Sequence, residues 1–267
     1  MNMLTAAGVR VQCLAGLAAL SCAVASLSAP AAELDTDALQ RALSGPDRDV
    51  NDFVRDQARK PVAVLAWLGL EPGMMVLDVY AAGGYYTFIL AKAVGSGGRV
   101  FAQNTPRGLA FEEDRQDITQ GEALRRKIAR ANLDNVTHLV QHIEDLDLPD
   151  ASLDAVLIAQ VLHDFYNPDP QRALAMLQQV YRKLKPGGFV GVTDHVGMPG
   201  NNNRELHRMQ ISQAISLAEM AGFTVEQSDL LRNPRDDYRR SIFDPRLNRN
   251  TDRFLLKLVK PVSPRTD

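Results

Sequence analysis

Apolar positions along the chain follow three rhythms in turn. From Val11 to Ala29 nearly every residue is apolar or small (VQCLAGLAAL SCAVASLSA), after a start whose one charge is Arg10. The next rhythm is helical. LDTDALQRAL puts Leu34, Leu39 and Leu43 near one face, with Asp35 or Thr36 as its cap. DVNDFVRDQARK is a second amphipathic piece that stops at Pro61, and Pro61 itself opens PVAVLAWLGL at a first helical position. These pieces predict a helical cover over residues 32–70, closed by the turn Glu71–Gly73. Short apolar runs then alternate with helical stretches. MMVLDVY, RVFAQ, VTHLV, DAVLIAQ and GGFVGVTD predict five buried strands, separated by helices in YYTFILAKAV, DITQGEALRRKIARANL and PQRALAMLQQVYRKLK. ELHRMQISQAISLAEMAGF predicts one more helix, ended by Gly222. TVEQSDLL and DRFLLKLV predict two last strands, joined by the charged loop NPRDDYRRSIFDPRLNRNT. Alternation at this spacing means right-handed βαβ units, so residues 71–262 read as one α/β domain with a mostly parallel sheet.

The opening rhythm reads as a secretory signal peptide over residues 1–31: a basic start, an apolar centre, and small residues at Ala29 and Ala31 with cleavage after Ala31. Gly16, Ser21 and Ser26 break the run and weaken it as a membrane span. The mature chain is therefore expected to be periplasmic or secreted and free of the membrane. Both cysteines, Cys13 and Cys22, fall in the leader, which removes disulfides, thiolate nucleophiles and cysteine–metal sites from consideration. A formal net charge of −2 without a clustered basic excess argues against nucleic acid as a partner and leaves a small molecule. Oligomeric state leaves no trace in the pattern.

The stretch LDVYAAGGYYT (Leu77–Thr87) holds the strongest candidate chemistry. An acid, Asp78, ends the first strand, and the small residues Ala81, Ala82, Gly83 and Gly84 precede a helix. Ligands of such sheets bind beyond the carboxyl ends of the strands, where missing side chains let them approach the backbone. With this loop, the element order, and LKPGGFVGVTD before the fifth strand, the chain resembles the class I S-adenosylmethionine-dependent methyltransferases over about residues 60–260. RKPVAVLAWLGLEPGMMVLDVYAAGGYYT, TDH, ELHR, AGF and DRFLLKLVKP resemble, more narrowly, a group of exported bacterial predicted methyltransferases. The resemblance implies a Rossmann-like sheet of seven strands with the last antiparallel, S-adenosylmethionine as cofactor, and methyl transfer to a small molecule. It places Asp78 to Gly84 at the methionine and ribose end, Glu144 or Asp145 near the adenine, and Ala159 and Gln160 beside the cofactor.

The departures from the family pattern are specific. Its acidic-x-Gly-x-Gly-x-Gly loop aligns onto Asp78, Tyr80, Ala82 and Gly84. Ala82 costs little at negative φ and more at positive φ, and the ring of Tyr80 must turn away from a ligand or stack on it. Where the family places an acid for the ribose hydroxyls, this chain has Gln103 and Asn104, so charge assistance is lost.

Three histidine groups fall at neighbouring strand ends: His163-Asp164 after the fourth strand, Asp194-His195 at the end of the fifth, and His207 beyond the following loop. His163 and His195 are the candidate acid/base groups, with Asp164 or Asp194 orienting a ring, and His207 is the third candidate. A capping role for each histidine is the plain alternative. No two of them show helical i,i+4 ligand spacing, so no metal is predicted, although a metal-assisted reaction would use the same side chains. The altered loop and the leader leave a second function class open, an exported small-molecule-binding protein without turnover.

Overall fold

The computed structural model describes residues 33–113 and 116–262; the stretch expected to be a leader, residues 1–31, and both cysteines lie outside them. Asp35 accepts a hydrogen bond from the Ala38 amide and starts α1 (Thr36–Leu43), and Asp49 does the same for Asn51 at α2 (Val50–Arg59). Lys60 turns left-handed at φ +42°, and Pro61 then opens α3 (Pro61–Leu68). The alternating part follows as β1 (Met75–Val79), α4 (Tyr85–Val94), β2 (Arg99–Asn104), α5 (Gln120–Arg130), β3 (Val136–Val140), β4 (Leu153–Ala159), α6 (Leu162–Tyr166), α7 (Pro170–Lys183) and β5 (Leu184–His195). The chain closes with α8 (Asn203–Leu206), α9 (Ile211–Met220), β6 (Thr224–Ser228) and β7 (Arg253–Val259).

The seven strands form one sheet in the order β3-β2-β1-β4-β5-β7-β6, and β7 runs antiparallel to both its neighbours. This is the expected class I methyltransferase arrangement. Strand order reverses between β1 and β4, so their carboxyl ends open the crevice where a ligand belongs. One sheet face is covered by α1, α3 and α4 through Leu39, Leu43, Leu65, Leu68, Phe88 and Ile89. The other is covered by α6, α7 and α9 through Phe165, Met176, Leu177, Val180, Leu217 and Ala218. Helix α4 is apolar on every side and buries nine of its ten residues, as a helix between sheet and cover must. Gly191 of β5 lets α3 approach, since a Cβ there would lie 2.5 Å from Leu68 Cδ1. Among the described residues no helix is long and apolar enough to cross a membrane.

Helix α6 is an addition to the sequence pattern, and three expected elements differ from it in extent. The helix expected from Glu205 to Phe223 breaks into α8 and α9 at His207, which sits at φ +53°. Arg208 causes the break by turning inward. Fully buried, it forks onto both oxygens of Asp236 at 2.7 and 3.1 Å and also donates to the Val196 and Arg240 carbonyls. The strand expected to reach Leu231 ends at Ser228, whose hydroxyl accepts from the Leu230 amide and turns the chain. Strand β5 begins earlier than expected, at Leu184, because the Lys-Pro-Gly-Gly stretch is absorbed as a register shift against β4.

Candidate functional site

The loop after β1 keeps the backbone of a glycine turn with other residues in it. Tyr80, Ala82 and Gly84 all take positive φ, at +52°, +50° and +84°. Ala82 therefore falls on the costly side of the alternative read from sequence, at about 1–2 kcal/mol for a left-handed residue with a Cβ. Ala82→Gly is expected to raise stability by about 1 kcal/mol in urea denaturation, the relieved strain offset by the extra freedom of an unfolded glycine. Tyr80 turns toward α6 and packs edge-on against Phe165, with ring centroids 5.3 Å apart.

The loop amides are already engaged. Tyr80 N donates to Gln103 Oε1 at 3.0 Å, Ala81 N to the Gln103 carbonyl at 2.9 Å, and Ala82 N to Asn104 Oδ1 at 2.9 Å. Gln103 and Asn104, candidates for the ribose, thus point their amide oxygens back into the first loop and staple it to β2. Asp78 is buried and accepts from the Thr87 hydroxyl at 2.7 Å. Burial pushes its carboxyl up to about 7, against the pull of Thr87, Arg59 and Lys127. Glu144 and Asp145 are exposed on a 3-10 turn beyond β3.

Helix α2 lies over this loop and is fastened by ion pairs. Arg55 Nη2 reaches Glu113 Oε1 at 2.6 Å, and Lys127 Nζ of α5 reaches Asp52 Oδ2 at 2.6 Å. The other oxygen of the Glu113 carboxylate fills the space beside Gly83, where a Cβ would overlap it. Asp56 accepts from the Tyr85 hydroxyl and from Arg48, each at 2.6 Å, and the Arg59 guanidinium lies 4.4 Å from the centroid of the Tyr85 ring. The loop keeps the backbone shape of a glycine turn, and a carboxylate of the chain itself fills the space beside Gly83.

Beside it, beyond the ends of β4 and β5, is a cavity of about 210 Å³. Its walls include Gln160, His163, Asp164, His195 and His207, with Arg59 of α2 above. No residue from Asp78 to Gly84 lines it, and neither does Asp194, which lies behind the histidines. The Asp194 carboxylate accepts from the His163 ring Nδ1 at 2.7 Å, the His163 amide at 2.9 Å and the His195 amide at 2.7 Å. That fixes the His163 ring with Nε2 outward, 3.2 Å from Asp164 Oδ1, and the same oxygen is 3.4 Å from His207 Nδ1. Burial disfavours a charge on His163, but Asp194 and Asp164 outweigh it and raise the imidazole to about 10. His195 is driven the other way, well below its ordinary value, by burial and by Arg253, His163, Arg208 and Arg59. Its Nδ1 sits 2.6 Å from the Thr251 hydroxyl. Two adjacent imidazoles are thus held in opposite protonation states by their surroundings.

Four wall residues that are not glycine, Gln160, His207, Asn248 and Arg249, have positive φ, at +60°, +53°, +45° and +60°. Backbone strain concentrated at one cavity marks a functional site more often than a structural one. Gln160 accepts from Arg59 at 3.0 Å, while its Nε2 and the Nε of Arg253 are buried in the wall without a partner. Sequence reasoning missed Arg55, Arg59, Glu113, Thr251 and Arg253. For the three arginines the only signal was the run of arginines in the helical cover and around the last strand; Glu113 and Thr251 gave none. The arginines in and next to the charged tail loop mostly pair with nearby carboxylates: Arg232 with Asp252, Arg240 with Asp237 and Asp244, and Arg246 with Asp244. It is Ile242, Phe243, Asn248 and Arg249 of that loop that reach the cavity.

Residues 82–192 match a family described as a methyltransferase domain. The chain is 33% identical over 127 residues to the demethylmenaquinone methyltransferase of Staphylococcus aureus, covering 48% of this chain and 45% of that protein. It is 28% identical over 132 residues to the arsenite methyltransferase of Halobacterium salinarum, covering 49% and 29%. The match thus spans less than half the length of these curated relatives. Among solved structures, a SAM-dependent methyltransferase from Aquifex aeolicus superposes with a TM-score of 0.57 at 20% identity, over 85% of this chain and 100% of that one. A possible exported protein from Bordetella parapertussis superposes with a TM-score of 0.52 at 17% identity, over 78% and 68%. These two likenesses concern the fold.

Proposed function

We propose that this chain, whose residues 82–192 match the methyltransferase domain family on a class I methyltransferase sheet, transfers a methyl group to a small, oxygen-bearing acceptor. S-adenosylmethionine is the cofactor, and when bound it supplies a methyl group on a sulfonium centre. The observation that carries the reading is the loop after β1. Its three positive-φ residues keep a glycine-turn backbone at the carboxyl end of β1, even where tyrosine and alanine have replaced glycine.

The chain's own groups divide the work. Asp78 and the loop backbone shape the cofactor cradle, and the neighbouring cavity receives the acceptor. The unpartnered donors of Gln160 and Arg253, with Arg59 above, suit a ligand rich in oxygen or carrying negative charge. His195, kept neutral by burial and the surrounding cations and anchored by Thr251, is the group assigned to receive the acceptor's proton. The leader supports a site of action outside the cytoplasm.

Glu113 supports a second reading, in which the protein holds a ligand without turning it over, because its carboxylate fills the space beside Gly83 in the loop after β1. Calorimetry with S-adenosylhomocysteine separates the cases. Binding by the wild type, strengthened about tenfold in Glu113→Ala, is expected from a competent cradle with a movable occupant. Absence of binding in both proteins, each shown to be folded, would sink the methyltransferase reading.

A further inference from the structure

We propose that His163, Asp164 and His207 bind one divalent transition-metal ion of the zinc and cobalt class at the cavity wall. This goes beyond the methyl-transfer reading and stands or falls without it. The three side chains come from two places, His163 and Asp164 from α6 and His207 from the residue that ends α8, and the break in the last long helix is what brings His207 to the other two. One ligand atom from each lies within 4.8 Å of the other two. Two separations, 3.2 Å from His163 Nε2 to Asp164 Oδ1 and 3.4 Å from that oxygen to His207 Nδ1, already match a tetrahedral edge. With metal–ligand bonds near 2.0–2.1 Å, such an edge is roughly 3.3 Å. His207 is half-buried and follows a helix of four residues, so it closes the third edge at little cost.

The surroundings are those of a ligand site. Metal-bound histidines usually donate their second ring nitrogen to a carboxylate, which sets the tautomer and aims the ring. His163 does this: Nδ1 is committed to the buried Asp194 carboxylate, and Nε2 faces Asp164, where an ion would take the place of the proton between them. His207 is held in a left-handed conformation that a histidine rarely adopts, and its ring packs edge-on against Phe243 at 4.8 Å. Two imidazoles and one carboxylate form a donor set that favours zinc-like ions over magnesium or calcium. Three protein ligands leave a coordination position open toward the cavity. His195, its ring centroid 6.1 Å from that of His163, and the arginines Arg59 and Arg253 line the space beyond. An anionic or oxygen-bearing ligand would complete the coordination there.

Untagged mature protein, stripped with a chelator, would be titrated calorimetrically with zinc chloride, and cobalt(II) would be followed by its visible absorption. The expected result is one ion per chain. Affinity should fall at least tenfold in His207→Ala and in Asp164→Asn and stay unchanged in His142→Ala, which removes an exposed histidine. Both main substitutions are at partly or fully exposed positions, so circular dichroism should confirm folding. Binding equal in all four proteins would overturn the proposal, as would no binding to the wild type at about 1 mM ion. In either case the trio would be a chain of ion pairs held together by protons.

Discussion

Arg208→Ala should destabilise the protein by about 3–5 kcal/mol, because it leaves the Asp236 carboxylate buried without its partner. Both side chains of this pair are fully buried. Asp236 also accepts from the Asp252 amide at 2.8 Å, and Asp252 in turn holds Arg232, Asn233 and Tyr238. Loss of the guanidinium therefore loosens the whole segment before β7 as well as one contact. Arg208→Lys should recover little, since an ammonium cannot reproduce a fork that reaches two carboxylate oxygens and two carbonyls. Urea denaturation should show the effect, accompanied by a fall in Tm on the order of 10 °C. Arg239→Ala is the control: its side chain is exposed, and removing it should change stability by less than about 0.5 kcal/mol. Equal losses in the two variants would mean that the buried pair is not what holds the break after α8.

The second large effect depends on pH. In the folded chain the Asp78 carboxyl titrates near 7, raised by burial above its ordinary value of 3.8. A carboxyl with a raised folded pKa keeps its proton in the folded state after the unfolded chain has lost it. Stability therefore falls as pH rises from about 4 to about 7 and levels off above that. Asp78→Asn keeps the shape of the neutral acid and removes the titration. It should be more stable than wild type at pH 8.5 by about 4 kcal/mol, and at pH 5.5 by roughly 2 kcal/mol. The quantity to measure is that difference of about 2 kcal/mol between the two pH values, which cancels any constant effect of the substitution. An advantage that does not change with pH would show that Asp78 stays ionised throughout.

The two substitutions also show what the sequence could and could not reveal. The sheet was legible because each strand is a short apolar run with turn residues at both ends. Helix α4 was legible to the residue because Gly84 and Gly95 bound it. The break at His207 was not, since it depends on Arg208 finding Asp236 some thirty residues later. The strand-end histidines could be picked out because topology alone sends the ends of β4 and β5 to one crevice. Their division of labour could not, because the charge on His163 is set by Asp194 behind it, and that on His195 by burial and by Arg253 on the neighbouring strand. Gln103 and Asn104 were visible as departures from the family pattern, but their use as staples required seeing which amides they meet. Glu113 gave no signal at all: it sits in an irregular segment after β2, and only the packing of α2 brings it to Gly83.

The Arg55–Glu113 pair has a consequence for rates. If a ligand can enter the cradle only after that pair parts, opening and association become successive steps. The observed binding rate in a stopped-flow experiment then rises with ligand concentration only until it reaches the opening rate, where it saturates. The apparent dissociation constant is the intrinsic one divided by the open fraction. Glu113→Ala should remove the plateau along with the weakening, so the same side chain would limit both how tightly and how quickly the protein takes its ligand.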